Sequence, residues 1–345
     1  MSSNQYTEGI YLEDGTLKKF KDADLTQKVK ELNSNLGSKV IVDGKERKEL
    51  RFRSVHYDKD CGELPYEFYG SSAVVYNNEI HILGSAKYNS DGSSPYKQYH
   101  YKWNGSSWTR ASTIPDVFSE GCAVVYNNEI HALDVGNSDE HYKWNGSSWT
   151  AVGGVPYPLL LSCSVVYNNE IHILGGREKD LHYKWNGSSW TKLSSLPYIF
   201  GGGSAVVYNN EIHILGGSRN NATCHYKWDG SSWASVSTLP YEFYHSSAVV
   251  YNNEIHILGG DKSTNSGSDR PYSQYHYKWN GSSWTSVGTL PYKFYRSSAV
   301  VYDDKINLLG GSYRSSTDNS INNYKKFMKL DNCDLIFLNW YLIIY

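Results

Sequence analysis

Five copies of Glu-Ile-His, at Glu79/His81, Glu129/His131, Glu170/His172, Glu211/His213 and Glu254/His256, are the most chemistry-capable pattern in this chain. A carboxylate two residues from an imidazole shares one face of a strand with it, the arrangement of an acid–base pair or of half a metal site. Each pair belongs to its own repeat, so the five cannot converge, and the pattern reads as a satisfied Glu/His contact between neighbouring units. The five cysteines, Cys61, Cys122, Cys163, Cys224 and Cys333, are odd in number and lack paired spacing. Cys122 and Cys163 stand where other copies have serine, which fits small buried thiols in a reducing compartment better than disulfides or metal ligands. No catalytic set, metal or cofactor is expected.

These residues sit in an array. Val-Val-Tyr-Asn-Asn-Glu-Ile-His-Ile-Leu-Gly, beginning at Val74, returns at Val165, Val206 and Val249, and in drifted form at Val124 and Val300. The anchoring tyrosines Tyr76, Tyr126, Tyr167, Tyr208, Tyr251 and Tyr302 mark six units spaced 41 to 51 residues apart. Within a unit, Ala73–Tyr76 and Glu79–Leu83 form a hairpin across Asn77-Asn78. Tyr99–Trp103 and Trp108–Ser112 form a second across Asn104-Gly105, a strong hairpin signal. Four short antiparallel strands per unit result, and spacing of this length is that of propeller blades.

Double glycines at Gly175-Gly176, Gly216-Gly217, Gly259-Gly260 and Gly310-Gly311 close the second strand. A Tyr with a Trp seven positions later, from Tyr101/Trp108 to Tyr277/Trp284, and a Pro leading into the next unit complete the pattern. Over about residues 64 to 325 this resembles the kelch repeat, which implies an all-β, six-bladed propeller, with Gly84-Ser85 and Asp134-Val135 departing from it. By that resemblance the Tyr/Trp pair is structural, wedged between blades. Trp103, Trp144, Trp185, Trp228 and Trp279 are surplus to it and read as edge packing, with a ring of sugar-stacking sites as the other reading.

Charged residues make up 20%, the formal net charge is −2 and aromatics reach 15%. Lys and Arg are spread among the units, so no nucleic-acid footprint emerges. Residues 1–52 form a distinct leader: Ile10-Tyr11-Leu12 with Asp14-Gly15 suggests a strand and turn, and Asp24 to Leu32 a short helix. Similar leaders precede receptor-binding domains in tail proteins of bacteriophages infecting Gram-positive bacteria, which implies attachment to a larger assembly. No apolar stretch follows Met1, so no Sec signal is expected and the location reads as cytoplasmic or virion-associated. The propeller is assigned to residues 53–325, with residues near Leu50 to Leu64 completing blade six. An apolar tail, 326–345, is too short to span a bilayer, so no membrane insertion is expected. It fits an outer strand, an interface or a change of reading frame.

In a four-stranded up-down blade, the loops between strands two and three and from strand four to the next blade share one face. Here that face varies while the other repeats. Long second-to-third-strand loops occur in copies one (Tyr96), five (Arg270, Tyr272) and six (Tyr313, Arg314). The lead-in segments Pro-Tyr-x-Phe-Tyr, ending at Tyr69, Tyr244 and Tyr295, precede the same three blades, which ring closure makes neighbours. The next residue is Gly70, Glu120, Leu161, Gly202, His245 or Arg296, the most variable position of the frame. Tyr, Arg and His on a rigid rim suit recognition of a sugar or a peptide. The expected function is therefore a non-enzymatic binding module for a carbohydrate or protein ligand. Its predicted site comprises Tyr69, Tyr96, Tyr244, His245, Arg270, Tyr272, Tyr295, Arg296, Tyr313 and Arg314. The alternative implied by the kelch resemblance is a sugar enzyme of the sialic-acid mutarotase or galactose-oxidase kind, with Arg296 and Glu120 as channel-facing groups.

Overall fold

The computed structural model describes residues 63–85, 98–135, 139–177, 179–217, 221–261, 274–290, 292–314, 321–323 and 327–338, and short strands within 6–58 and 341–344. Five four-stranded antiparallel sheets and one larger sheet stand round a common axis. Their inner strands are Ser72–Tyr76, Phe118–Tyr126, Cys163–Tyr167, Ser204–Tyr208, Ser247–Tyr251 and Ser298–Tyr302. All six line one central cavity. The described elements are all β, and the fold is a six-bladed propeller.

Local chemistry accounts for each blade. Asn77 and Asn78 have φ of 48° and 58°, both left-handed, which makes a two-residue mirror-image turn that asparagine tolerates. Asp303 and Asp304 repeat it in blade six at 52° and 54°. The second hairpin is longer than the two-residue turn expected from Asn-Gly. Trp103 pairs with Trp108 across four residues, and the Asn104 side-chain oxygen accepts from the Ser106 and Ser107 amides at 3.0 and 2.9 Å. Gly105, at φ 100°, also lies under the hydroxyl of Tyr302 from the preceding blade, where a Cβ would stand 3.3 Å from that oxygen.

The core is divided among the gaps between blades. Val74, Tyr76 and Leu83 of blade 1 pack with Ile130, Ala132 and Trp144 of blade 2, and the other junctions repeat the scheme. The second strand is accordingly buried on both faces, for example Ile80 to Leu83. Trp103, Trp144, Trp185, Trp228 and Trp279 are all buried in these gaps, which takes them out of play as surface sugar platforms. Gly175 shows the tightest junction. A Cβ there would sit 1.8 Å from the carbonyl oxygen of Phe200, the anchor of the next lead-in segment, and that carbonyl accepts from Gly176 at 2.8 Å.

Blade six is built from both ends of the chain. Its order is Ser298–Tyr302, Lys305–Leu309, Phe327–Leu338 and, outermost, Glu49–Asp58. The expected closing segment thus supplies one strand, and boundaries drawn at 52 and 325 fall inside the blade. The reason is register rather than motif: Phe327 pairs with Leu309 as His100 pairs with Leu83, although the Tyr-Lys-Trp-Asn-Gly signature is missing. Gly9–Tyr11 and Leu17–Lys19 extend this sheet outward, and Tyr341–Ile344 pairs with Leu335–Leu338. The leader helix expected over Asp24–Leu32 lies outside the described residues.

The Glu-Ile-His pattern resolves differently from the interblade Glu/His contact expected. Each Glu instead ion-pairs with a lysine of its own blade's third strand, Glu79 with Lys102 and so on, at 2.7–3.0 Å. Each His bonds the diagonal third-strand His: His81/His100, His131/His141, His172/His182, His213/His225 and His256/His276, at 2.7–2.8 Å. For each Glu and each His the diagonal residue of the third strand, a lysine and a histidine respectively, is nearer than any residue of the next blade. The third-strand rings then meet tryptophans of the next blade edge-on, as His100 does Trp144 at 5.1 Å. Blade six loses both rings at once. Asn307 replaces the first, and Phe327 replaces the second against Trp103 at 5.2 Å.

Candidate functional site at the channel mouth

Each lead-in segment drives a buried anchor into the gap behind its blade: Phe68, Phe118, Leu159, Phe200, Phe243 and Phe294 are all fully buried. Two residues further on, the chain turns into the inner strand, and there every blade adopts a left-handed backbone. Gly70, Glu120, Leu161, Gly202, His245 and Arg296 have φ between 53° and 69°. Such a conformation is uncommon for a non-glycine residue and is retained only where surroundings enforce it. Here the enforcement is a belt of backbone hydrogen bonds from blade to blade: Gly70 to Arg296, Glu120 to Gly70, Gly202 to Leu161, His245 to Gly202 and Arg296 to His245, each amide donating to the earlier blade's carbonyl at 2.6–3.2 Å.

Below the belt the cavity encloses about 220 Å³ and is walled by serines, alanines and glycines together with Cys122 and Cys163. The Ser/Cys equivalence has a structural basis. Ser204, Ser247 and Ser298 hydroxyls donate to carbonyls of Ser246, Ser297 and Ser71 in the following blade at 2.8–2.9 Å. The Cys163 thiol does the same to Gly203 at 2.9 Å, and burial pushes its pKa up, which keeps it an inert thiol. Cys122, Cys163 and Cys224 are free.

The mouth is asymmetric. Arg296 of blade 6 reaches over Gly70 of blade 1 to ion-pair with Glu120 of blade 2, the two side chains being 17% and 15% exposed. Its guanidinium also donates to His245 Nε2 at 3.3 Å and lies 5.2 and 5.5 Å from the ring centres of Tyr69 and Tyr295. His245 is edge-on to Tyr295 at 5.0 Å and tilted against Tyr244 at 4.0 Å. Gly202 leaves room for that contact, since a Cβ there would sit 2.8 Å from the Tyr244 ring. Opposite the charged wall, among the described residues, the corresponding positions are Leu161 and Gly202.

Five of the ten predicted site residues therefore come together: Tyr69, Tyr244, His245, Tyr295 and Arg296. Glu120, named only as a channel-facing group, is the missing sixth member; its signal was its place in the variable position. Tyr313 and Arg314 belong to the strand Ser312–Arg314, whose first residue bridges to Tyr295. Tyr96, Arg270 and Tyr272 lie outside the described residues.

One rim expectation is corrected. Tyr295 is 6% exposed and is part of the packing, because Arg296 and His245 close over it. Tyr295→Ala is thus expected to lower stability by about 3 kcal/mol, the scale of a large aromatic truncation. Urea melts check this, and a change under 1 kcal/mol would return Tyr295 to the surface.

Among the described residues no three His, Cys, Asp or Glu side chains gather as a metal site, and no helix is long and apolar enough to cross a membrane. Fold and site together define a six-bladed propeller with a central cavity and a Tyr/Arg/Glu/His mouth. No family model matches the chain and no curated protein is similar to it in sequence. By shape, 428 chains of solved structures match. One of them, the structure of YjhT, superposes with a TM-score of 0.62 at 13% identity, covering 79% of this chain and 96% of that one. At such identity the likeness establishes the fold alone.

Proposed function

We propose that this protein is a non-enzymatic recognition module that binds a carbohydrate or protein ligand at the channel mouth beside blades 5, 6 and 1. The observation that carries the reading is that His245, Arg296 and Glu120 line a cavity of about 220 Å³ while Tyr69, Tyr244 and Tyr295 pack round them. Aromatic faces with an arginine suit sugar rings and peptide anchors. Arg296 Nε is buried without an acceptor, which leaves one donor for a ligand oxygen. The kelch-type reading of the repeats and the leader's role as an attachment to a larger assembly, as in a receptor-binding protein, belong to the same proposal.

The test is a glycan array followed by direct affinity measurement with wild type and a Tyr69→Ala/Tyr244→Ala double variant, both half-buried positions. A loss of tenfold or more in the double variant, with an unchanged melting temperature, is expected. Undiminished binding would move the site off this mouth. The Arg296–Glu120 pair with His245 in reach also supports a second reading, a kelch-type sugar enzyme. Turnover of a reducing sugar by the purified protein, abolished in Glu120→Gln, would establish it in place of the first.

A further inference from the structure

On the opposite face a second cavity of about 230 Å³ opens between blades 1 and 2, beside the Asn77–Asn78 turn. One small side chain stands in its wall. The fourth residue of the outer strand is Ala111 in blade 1, and it lines the cavity. The same position holds Val152, Leu193, Val236 and Val287 in blades 2 to 5, each packed into the core cluster of its own gap. The blade 1–2 cluster has no such contribution from Ala111.

The polar lining is Glu79, His81, Lys102 and Arg110, against the indole of Trp144. His81 is 2% exposed, yet its Nε2 has no hydrogen-bond partner and lies 4.0 Å from Glu79 Oε2. The Glu79 carboxylate beside it favours a proton on that nitrogen, and the hydrogen-bond chain behind it accommodates this tautomer. Trp149 Nε1, only a donor, gives to Ser112 Oγ at 2.8 Å. The Ser112 hydroxyl can then donate to His100 Nδ1 at 3.3 Å, and His100 Nε2–H to His81 Nδ1 at 2.7 Å. His81 Nε2–H is left pointing at the carboxylate side of the cavity, the orientation a nearby negative charge favours. Glu79 is already taken by Lys102 at 2.9 Å. The lining thus offers His81, Lys102 and Arg110 as donors, and two cationic groups against one anionic one. Arg110 is exposed and stacks on Tyr99 at 4.5 Å, so it can turn inward without breaking the core.

We propose that this gap is a binding site for a small oxyanion. A buried imidazole N–H without an acceptor, flanked by an ammonium and a guanidinium, is complementary to a compact group of two or more anionic oxygens. The site is separate from the channel mouth and independent of the function proposed for it.

Inorganic phosphate is the probe. The full chain is titrated with phosphate at pH 7 and constant ionic strength, chloride balancing, and the indole N–H signals of Trp144 and Trp149 are followed by NMR. Saturable shifts at one site are expected. Ala111→Val, which installs the residue blade 2 carries at this position, is expected to weaken binding at least tenfold while leaving the melting temperature unchanged. Arg110→Gln is expected to weaken it about fivefold. No saturable shift would mean the gap holds water only and would overturn the proposal. Phosphate affinity unaltered by Ala111→Val would overturn it equally, assigning the response to another cationic group such as Arg296.

Discussion

On titration from pH 7 towards pH 4.5 the ring is expected to unfold in one steep transition, driven by its five buried histidine pairs. Burial is the first cause in every case, with the neighbouring lysine or histidine adding to it. The pKa falls to about 4 for His81, His131, His172 and His213, to about 3 for His141, His182, His225 and His256, and well below the usual range for His100 and His276. Folded values below the unfolded 6.5 mean that the unfolded chain binds the extra protons. The stabilisation is complete above pH 6.5 and is lost as pH falls towards 3–4. A ring lowered by two units or more gives up on the order of 2 kcal/mol by pH 4.5, so several such rings match the ~5–15 kcal/mol stability of an ordinary domain. Circular dichroism against pH checks this. A urea midpoint that does not move between pH 6.5 and 4.5 would defeat it. The sixth blade suggests the control, since Asn307 and Phe327 do the same work without titrating. His213→Asn with His225→Phe should flatten the pH dependence by about two protons.

The second large effect is expected from Trp228→Ala. This indole is 3% exposed, lies edge-on to His182 of the preceding blade at 5.2 Å and tilts against Trp233 at 5.5 Å. It closes the gap shared with Val165, Tyr167 and Leu174. Removing it leaves a void that two rigid sheets cannot fill, and the loss should be about 3–5 kcal/mol. Trp233→Ala, at a half-buried ring, should lose clearly less. Equal losses in parallel urea melts would show that the outer ring, not the inner one, bears the junction. Because the ring is closed, damage at one gap is expected to lower the whole transition rather than detach one blade.

Much of the fold was legible in the residues themselves. Six tyrosine-anchored units, two hairpins in each of the first five and glycines at strand ends follow from period-two alternation and from turns needing positive φ, which are properties of a few adjacent residues. The equivalence of Cys122 and Cys163 with serine was legible for the same reason, by position within the repeat. Half of the mouth was too, because lead-in sequence and loop length mark blades 1, 5 and 6.

What the chain could not announce is who faces whom across a gap. Glu79 was read as a partner of His in the next blade, but the sheet sets Lys102 and His100 nearer, and only cross-strand register decides that. The surplus tryptophans carry the same letters whether they face solvent or a neighbouring sheet; the packing of blade on blade buries them. The third strand of blade six has no signature and is recruited by pairing alone, with Phe327 opposite Leu309. Tyr295 looked like rim and became packing once Arg296 crossed blade 1 to Glu120. Some of these contacts join strands about twenty positions apart in one blade and others join different blades, so they depend on strand register and on the spacing and tilt of whole sheets, quantities that arise only when six similar units close into a ring.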